Sequence, residues 1–172
     1  AMDHARVMPT VTGLKDINSV IKTCIGAGAD AILAPMGSAA GCASALGNGG
    51  LWLSVDTTAA TASSVVESAL RLGADGIKAE IYPWCKPEND FFRNRSGAET
   101  VLGIACLVAE CHKWGLPCMI ESIPHGWPAA DKRTPETVAA AARVASETGA
   151  DYVKTFYTGD KESFTTAIEN CN

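Results

Sequence analysis

The sequence predicts an α/β fold with a mainly parallel sheet, because one three-residue motif recurs between helical and strand-like segments. Gly-Ala-Asp occurs at 28–30, 73–75 and 149–151, each time after a helical pattern and before a short apolar run. Glycine suits the left-handed position that ends a helix, and aspartate favours the turn into a strand. A repeated helix–turn–strand unit is typical of alternating α and β structure.

Six short strand-like segments follow one another along the chain. They are a run that ends at Ala1-Met2, followed by 31–34, 51–55, 76–81, 118–122 and 152–156. An open sheet is the alternative on topology alone, whereas a closed (β/α)₈ barrel has eight strands and about 250 residues. We expect the greater part of a (β/α)₈ barrel, forming one domain over 1–172 and lacking the last two βα units and part of the first strand.

Helical periodicity between these strands supports the same order. Apolar residues share one helix face over 14–25, over 65–70 and over 101–109. Thr134 followed by Pro135 is a typical helix start, with threonine as the N-cap and proline in the first turn. A last helical segment is expected over 162–169.

Composition excludes several classes of function. The chain has 172 residues, of which 47% are hydrophobic and 19% charged, with a net charge of −5. This composition is globular, and no basic cluster could follow the phosphate backbone of a nucleic acid. The apolar runs are too short to cross a membrane. Seven scattered cysteines without a CxxC pair favour a cytoplasmic protein, and nothing predicts a metal or another cofactor.

Charged residues stand inside three predicted strands, although parallel strands are usually continuous aliphatic runs. Lys78 shares a strand face with Glu80 and Tyr82, whereas Glu121 and Lys154 lie in the next two strands. Burying a bare ammonium is costly, so each lysine needs a partner. A second cation nearby would favour the neutral, nucleophilic form of Lys154, and Glu121 could move protons. A purely structural ion cluster is the alternative.

Further polar residues lie near strand ends, where parallel α/β folds hold their active sites. They are Asp3, His4, Ser122, His125, Thr155 and Tyr157. Four loop aromatics, Trp84, Phe91, Phe92 and Trp127, could either form the floor of a pocket or seal the barrel rim. A three-histidine zinc site is not expected, because His112 lies late in a helix.

The residues at these positions resemble the class I aldolase superfamily nearly end to end. The similar segments are Met2-Asp3-His4, Leu72-Gly73-Ala74-Asp75 with Ile81-Tyr82-Pro83, Trp114-Gly115-Leu116-Pro117, the S-x-P-x-G motif at 122–126, and 149–160. The Schiff-base lysine of the family corresponds to Lys154, and its strand-one aspartate corresponds to Asp3. The resemblance implies a barrel fold, a sugar-phosphate substrate and a homo-oligomer.

Two subgroups of that superfamily contribute to the resemblance. Archaeal-type fructose-bisphosphate aldolases have a tyrosine proton donor at the position of Ile123, and often an arginine at that of His125. The tagatose-bisphosphate type instead has a strand-four lysine and a strand-five glutamate, which correspond to Lys78 and Glu121. The resemblance therefore implies a Schiff-base aldolase with the acid–base pair of the second subgroup.

We therefore expect a lyase that cleaves or forms a carbon–carbon bond of a phosphorylated or related ketose. The candidate catalytic residues are Lys154, Glu121, Lys78 and Asp3, and the candidate substrate-binding residues are His4, Ser122, His125, Thr155 and Tyr157. The alternatives are thiolase-like or transaldol transfer on the same iminium, or a non-catalytic truncated paralogue.

Overall fold

The sheet is parallel throughout, as the repeated motif predicts. The computed structural model describes residues 1–4, 11–89 and 94–171. In this part of the chain, the strands lie in sequence order: β1 Ala31–Pro35, β2 Gly50–Ser54, β3 Gly76–Ile81, β4 Cys118–Ser122 and β5 Tyr152–Lys154. The predicted strand ending at Met2 is not among them. The Met2 N–H nevertheless donates to the Leu33 carbonyl at 2.8 Å, which places the N-terminal segment beside β1.

Helices alternate with the strands, so the predicted α/β order is confirmed. They are α1 Ile17–Gly26, α2 Met36–Ala39, α3 Ala43–Leu46, α4 Ala62–Arg71, α5 Gly97–Lys113, α6 Pro135–Glu147 and α7 Lys161–Glu169. Short 3-10 turns cover Thr12–Leu14, Pro87–Asn89 and Ala130–Lys132. Among the described residues, no helix is long and apolar enough to cross a membrane.

Side-chain caps fix where several helices begin. Thr134 accepts a hydrogen bond from the Thr137 N–H at 3.4 Å, which confirms the predicted N-cap of α6. The first helix starts later than its apolar pattern predicts, because the Asp16 side chain caps it by accepting from the Ser19 N–H at 3.1 Å. Leu14 consequently lies in the 3-10 turn before α1.

The Gly-Ala-Asp repeats end helices and also align neighbouring strands. Gly73 and Gly149 have φ angles of 69° and 90°, in the left-handed region that ends a helix. The Asp75 carboxylate accepts from the Leu51 N–H at 2.8 Å. Asp151 does the same for the Cys118 N–H, also at 2.8 Å. Each of these aspartates thus ties the start of its own strand to the adjacent one.

The register brings the charged strand residues side by side. Lys78 pairs with Ser54 of β2, and Glu80 pairs with Glu121 of β4. Glu121 in turn pairs with Lys154 of β5. Because side chains alternate across a sheet, the charged residues share one face, while aliphatic residues of the opposite face pack against the helices. The core contains Leu53, Ile77 and Ile120 of this opposite face together with Leu107 and Val108 of α5.

Candidate active site

Lys78 lies at the centre of a buried charge cluster on one face of the sheet. Its side chain is 1% exposed, and its Nζ lies 2.7 Å from Glu80 Oε1, 2.5 Å from Glu121 Oε2 and 3.2 Å from Asp3 Oδ2. Burial lowers the pKa of Lys78, but the negative charges of Glu80 and Glu121 outweigh it and raise the pKa above its usual value. Lys78 is therefore a fixed cation at neutral pH.

Glu121 joins this buried cation to the second lysine. Its Oε2 contacts Lys78, whereas its Oε1 accepts a hydrogen bond from Lys154 Nζ at 2.6 Å. The side chain of Lys154 is 43% exposed, while that of Glu121 is 8% exposed. An accessible amine within hydrogen-bond reach of a carboxylate has the geometry of a nucleophile beside its base.

Asp3 reaches the cluster from the N-terminal segment. Its Oδ2 accepts from Ser54 Oγ at 2.7 Å and from Lys78 Nζ at 3.2 Å. Burial raises the pKa of Asp3, but the Ser54 hydrogen bond and the charge of Lys78 together hold this pKa below its usual value. Asp3 therefore supplies a second negative charge to Lys78 from outside the sheet.

Glu80 supplies the third carboxylate and connects the cluster to two aromatic residues. Its Oε2 accepts from Tyr82 Oη at 2.5 Å and from Trp127 Nε1 at 3.1 Å. Glu80 was not among the predicted site residues, although strand alternation places it on the face of Lys78. No local sequence signal connects Trp127 to Glu80, because the two lie 47 positions apart.

A small cavity opens onto these charges. Its volume is about 100 Å³, and it is lined by Ala1, Asp3, His4, Lys78, Glu80, Glu121, Trp127 and Lys154. The fold thus brings all four candidate catalytic residues to one cavity, together with His4. The residues come from the N-terminal segment, three strands and the loop after β4.

The other four candidate substrate-binding residues are not among those that line this cavity. Ser122 Oγ donates to Thr155 Oγ1 at 3.3 Å, and Thr155 lines a separate cavity of about 320 Å³ beside α6 and α7. His125 packs its ring against Trp84, with centroids 5.7 Å apart. Tyr157 is 64% exposed. Substrate binding by these four residues stays a prediction.

The loop aromatics divide between the cavity and the surface. Trp127 lines the cavity, whereas Trp84 is 47% exposed. Phe91 and Phe92 lie outside the described residues. Within 1–4, 11–89 and 94–171, no group of three His, Cys, Asp or Glu side chains could hold a metal ion.

The whole chain matches one protein family. A family model described as "DeoC/LacD family aldolase" covers residues 1–172. The chain belongs to the DeoC/LacD aldolase family. This membership confirms the resemblance to class I aldolases that the strand-end motifs indicate.

Two curated relatives of this DeoC/LacD member carry different names. The 2-amino-3,7-dideoxy-D-threo-hept-6-ulosonate synthase of Halobacterium salinarum is 29% identical over 98% of this chain and 63% of its own length. The fructose-bisphosphate aldolase class 1 of Thermoproteus tenax is 35% identical over 63% of this chain and 38% of its own length. The DeoC/LacD chain thus spans less than two thirds of either relative.

Solved structures of aldolases share the fold of this DeoC/LacD chain. An archaeal fructose-1,6-bisphosphate aldolase, with its catalytic lysine covalently bound to the carbinolamine intermediate of the substrate, has a TM-score of 0.72 and 28% identity. The alignment covers 91% of this chain and 61% of that one. A putative deoxyribose-phosphate aldolase from Coccidioides immitis has a TM-score of 0.63 at 15% identity, over 95% of this chain and 64% of its own, which shows the fold alone. These neighbours are barrel aldolases, and the parallel strands of this chain match part of such a barrel.

Proposed function

We propose that this protein is a class I aldolase, a lyase that cleaves or forms a carbon–carbon bond of a phosphorylated ketose through a Schiff base on Lys154. One observation carries the proposal: the accessible Lys154 amine contacts Glu121 at 2.6 Å, and the buried Lys78 holds the other oxygen of that carboxylate. The related archaeal aldolase with a covalently bound catalytic lysine supports the same chemistry.

Schiff-base formation begins with a proton transfer between these two side chains. Glu121 takes a proton from the Lys154 ammonium, and the free amine attacks the ketone carbon. The nitrogen proton passes to the former carbonyl oxygen, which gives a carbinolamine. Glu121 then returns its proton to the hydroxyl, which leaves as water, and the lone pair of nitrogen forms the iminium.

Carbon–carbon cleavage uses the iminium as an electron sink. Glu121 accepts the proton of the hydroxyl on the carbon that becomes the aldehyde, and the bonding pair moves into the iminium to form an enamine. Return of the proton to the enamine carbon restores an iminium, which water hydrolyses to release the ketone product and Lys154. Ile123 is fully buried and aliphatic, so Glu121 takes the role that a tyrosine has in archaeal-type enzymes.

Asp3 and Lys78 prepare Glu121 for these steps. Lys78 holds one carboxylate oxygen and opposes its charge, so that the other oxygen points to Lys154. Asp3 also contacts Lys78 and lines the cavity, where it can orient a substrate hydroxyl. His4, Ser122, His125, Thr155 and Tyr157 are proposed to bind the remainder of the substrate.

Transaldol or thiolase-like transfer is the second candidate. The Halobacterium relative, which matches 98% of this chain, is named as a synthase. In such a reaction the same Lys154 enamine would attack a different electrophile. Product analysis with one ketose donor and several aldehyde acceptors distinguishes transfer from simple cleavage.

We further propose that residues 1–172 belong to a single domain and that the protein acts in cytoplasmic carbohydrate metabolism as a homo-oligomer. The seven cysteines are all free thiols, which fits a reducing compartment. The expectation of an oligomer rests on the family resemblance.

Borohydride trapping tests the proposed function directly. We expect dihydroxyacetone phosphate or a ketose bisphosphate, followed by borohydride, to leave a reduced adduct that peptide mass spectrometry maps to Lys154. Lys154→Ala should abolish both the adduct and turnover while the circular dichroism spectrum is retained. Lys113→Ala is the matched control, because Lys113 is an exposed lysine that pairs with Glu110 on the surface. Folded protein without an adduct, or turnover by Lys154→Ala, would refute the proposal.

A further inference from the structure

At least three hydrogen-bond donors of the described residues contact the Glu80 carboxylate. Lys78 Nζ lies 2.7 Å from one carboxylate oxygen, and Tyr82 Oη and Trp127 Nε1 donate to the other at 2.5 and 3.1 Å. The Glu80 side chain is only 6% exposed. Lys78 and Glu80 lie in β3, Tyr82 directly follows that strand, and Trp127 lies in the loop after β4. Both oxygens of Glu80 therefore serve as acceptors in a closed environment.

The contacts of Glu80 determine how the charge of Glu121 is shared. Glu121 faces two lysines, one at each oxygen. Without Glu80, the counter-charges of Lys78 among the described residues would be Glu121 and Asp3, and Asp3 is the more distant at 3.2 Å. With Glu80 present, Lys78 has its own short contact within β3. This contact fixes the Lys78 ammonium beside Glu121 Oε2, while Glu121 Oε1 contacts Lys154.

We propose that Glu80 is a positioning residue of the aldolase site, which holds the Lys78 ammonium against Glu121 and so fixes the carboxylate that serves Lys154. Tyr82 and Trp127 hold Glu80 in turn through its second oxygen. The inference rests on the proposed function, because it assigns the proton transfers to Glu121. Glu80 acts through Lys78 and not on the reacting atoms.

If Glu80 positions Lys78, its replacement should change the pH dependence of the reaction. The groups that face Lys78 or line its cavity are Asp3 and His4 of the N-terminal segment, Glu80 of β3, Glu121 of β4 and Lys154 of β5. Among the causes that raise the pKa of Lys78, the charge of Glu80 is the largest, while burial acts in the opposite direction. Glu80→Gln removes that charge and leaves the burial, so the pKa of Lys78 should fall.

Kinetics of Glu80→Gln test the proposal against a matched surface variant. We expect kcat to fall by about tenfold to a hundredfold, with KM changed by less than about threefold, as for other residues that orient a functional group. The high-pH limb of the kcat profile should move to lower pH, because Lys78 loses its proton earlier. Glu110→Gln is the control, since Glu110 also accepts from a lysine and a tryptophan, Lys113 and Trp114, but on the surface. It should keep the wild-type profile.

The Tyr82→Phe variant distinguishes the effect of the Glu80 charge from the effect of holding the Glu80 side chain in place. It removes one donor to Glu80 and keeps the Glu80 charge, so the high-pH limb should stay in place even where kcat falls. A limb that moves equally in Tyr82→Phe and Glu80→Gln would show that general loosening of the site is responsible. That result would overturn the proposal.

A spectroscopic titration of Lys78 tests the role of Glu80 independently of Schiff-base formation on Lys154. In protein labelled with ¹³C-lysine, the Lys78 Cε resonance should titrate at lower pH in Glu80→Gln than in wild type, whether or not the protein forms an adduct on Lys154. Absence of an adduct would refute the aldolase alone. Wild-type kcat together with an unmoved Lys78 titration would refute the role of Glu80. If Glu80→Gln does not fold, Glu80→Asp serves instead, with reduced kcat expected and wild-type kcat as the refuting result.

Discussion

Replacement of Lys78 by methionine should destabilise the protein strongly at neutral pH. Methionine is unbranched and close in length to lysine, so it can occupy the same space without a large cavity. The change removes the ammonium that contacts Asp3, Glu80 and Glu121. Three nearly buried carboxylates then remain around the cavity. Among the described side chains that line it, Lys154 is the remaining lysine that opposes their charge.

The size of the expected loss in free energy of unfolding follows from the burial of these side chains. The side chain of Lys78 is 1% exposed, and those of its three partners are between 6% and 12% exposed. Solvent therefore screens the interactions little. Removal of one partner from a buried ion pair costs about 3–5 kcal/mol in free energy of unfolding. We expect a loss in that range at pH 7.

The pH dependence of the loss has a definite sign. The pKa of Lys78 is raised, so its stabilising contribution is complete below its unfolded pKa of about 10.4 and is lost only as pH rises through the folded value. In the methionine variant, Asp3 loses the Lys78 charge that helps to hold its pKa down, so it takes up a proton at higher pH than in wild type. Lowering the pH from 7 to about 4.5 should therefore reduce the difference between variant and wild type.

Urea unfolding followed by circular dichroism measures the effect at both pH values. Lys113→Met is the control, because Lys113 is 64% exposed and pairs with Glu110 on the surface. It should change the free energy of unfolding by less than about 1 kcal/mol. A loss below about 1 kcal/mol for Lys78→Met at pH 7, or an equal loss at both pH values, would refute the description of Lys78 as a buried, fixed cation.

Two further predictions concern stability. Asp3→Asn should reduce the free energy of unfolding by about 1–3 kcal/mol at pH 7; because the pKa of Asp3 is lowered, its contribution is present above the unfolded pKa of about 3.9 and is lost as pH falls through the folded value. In urea unfolding, the difference in free energy of unfolding between wild type and Asp3→Asn should therefore be smaller at pH 3 than at pH 7. An equal difference at both pH values would contradict the assignment. Thr134→Ala should lower the free energy of unfolding by about 1 kcal/mol, because it removes the N-cap of α6. Thr134→Ser should keep the cap and the wild-type stability, and thermal unfolding measures both.

The fold could be predicted largely from local signals. A glycine that ends a helix and an aspartate that turns the chain into a strand act within a few residues, so they appear in the sequence itself. Gly73 and Gly149 adopt the positive φ angles that this interpretation requires. The hydrogen bonds that Asp75 and Asp151 accept from neighbouring strands cannot be predicted locally, because they depend on which strands become adjacent.

Strand lengths and the number of strands depend on partners that the sequence does not reveal. The segment 152–156 was expected as one strand, but its paired register extends only to Lys154. Met2 makes one backbone hydrogen bond to Leu33, too little to extend the sheet as the predicted first strand. Apolar alternation indicates where a strand can form, whereas backbone pairing determines where it ends.

The charged cluster was predictable in part for an energetic reason. A lysine within a parallel strand is energetically costly unless a carboxylate pairs with it. Lys78 and Lys154 therefore predict a nearby acidic partner, and Glu121 lies in the strand between them. Alternation alone does not determine which carboxylate Lys78 contacts, and the structure shows contacts to three. Trp127 and Ser54 join the site through tertiary contacts, for which the sequence has no periodic signal.

Burial assigns different roles to two lysines of the same chemical type. Lys78 is enclosed by carboxylates and closed to solvent, so a ketone could reach its amine only by displacing the ion pairs that hold it. Lys154 has 43% of its side chain exposed and, within the described part of the chain, one ion-pair partner, Glu121, which can also accept its proton. A nucleophile needs access and a base, whereas a fixed cation needs burial and counter-charges. The two positions meet these opposite requirements, and Glu121 connects them because each of its oxygens faces a different lysine.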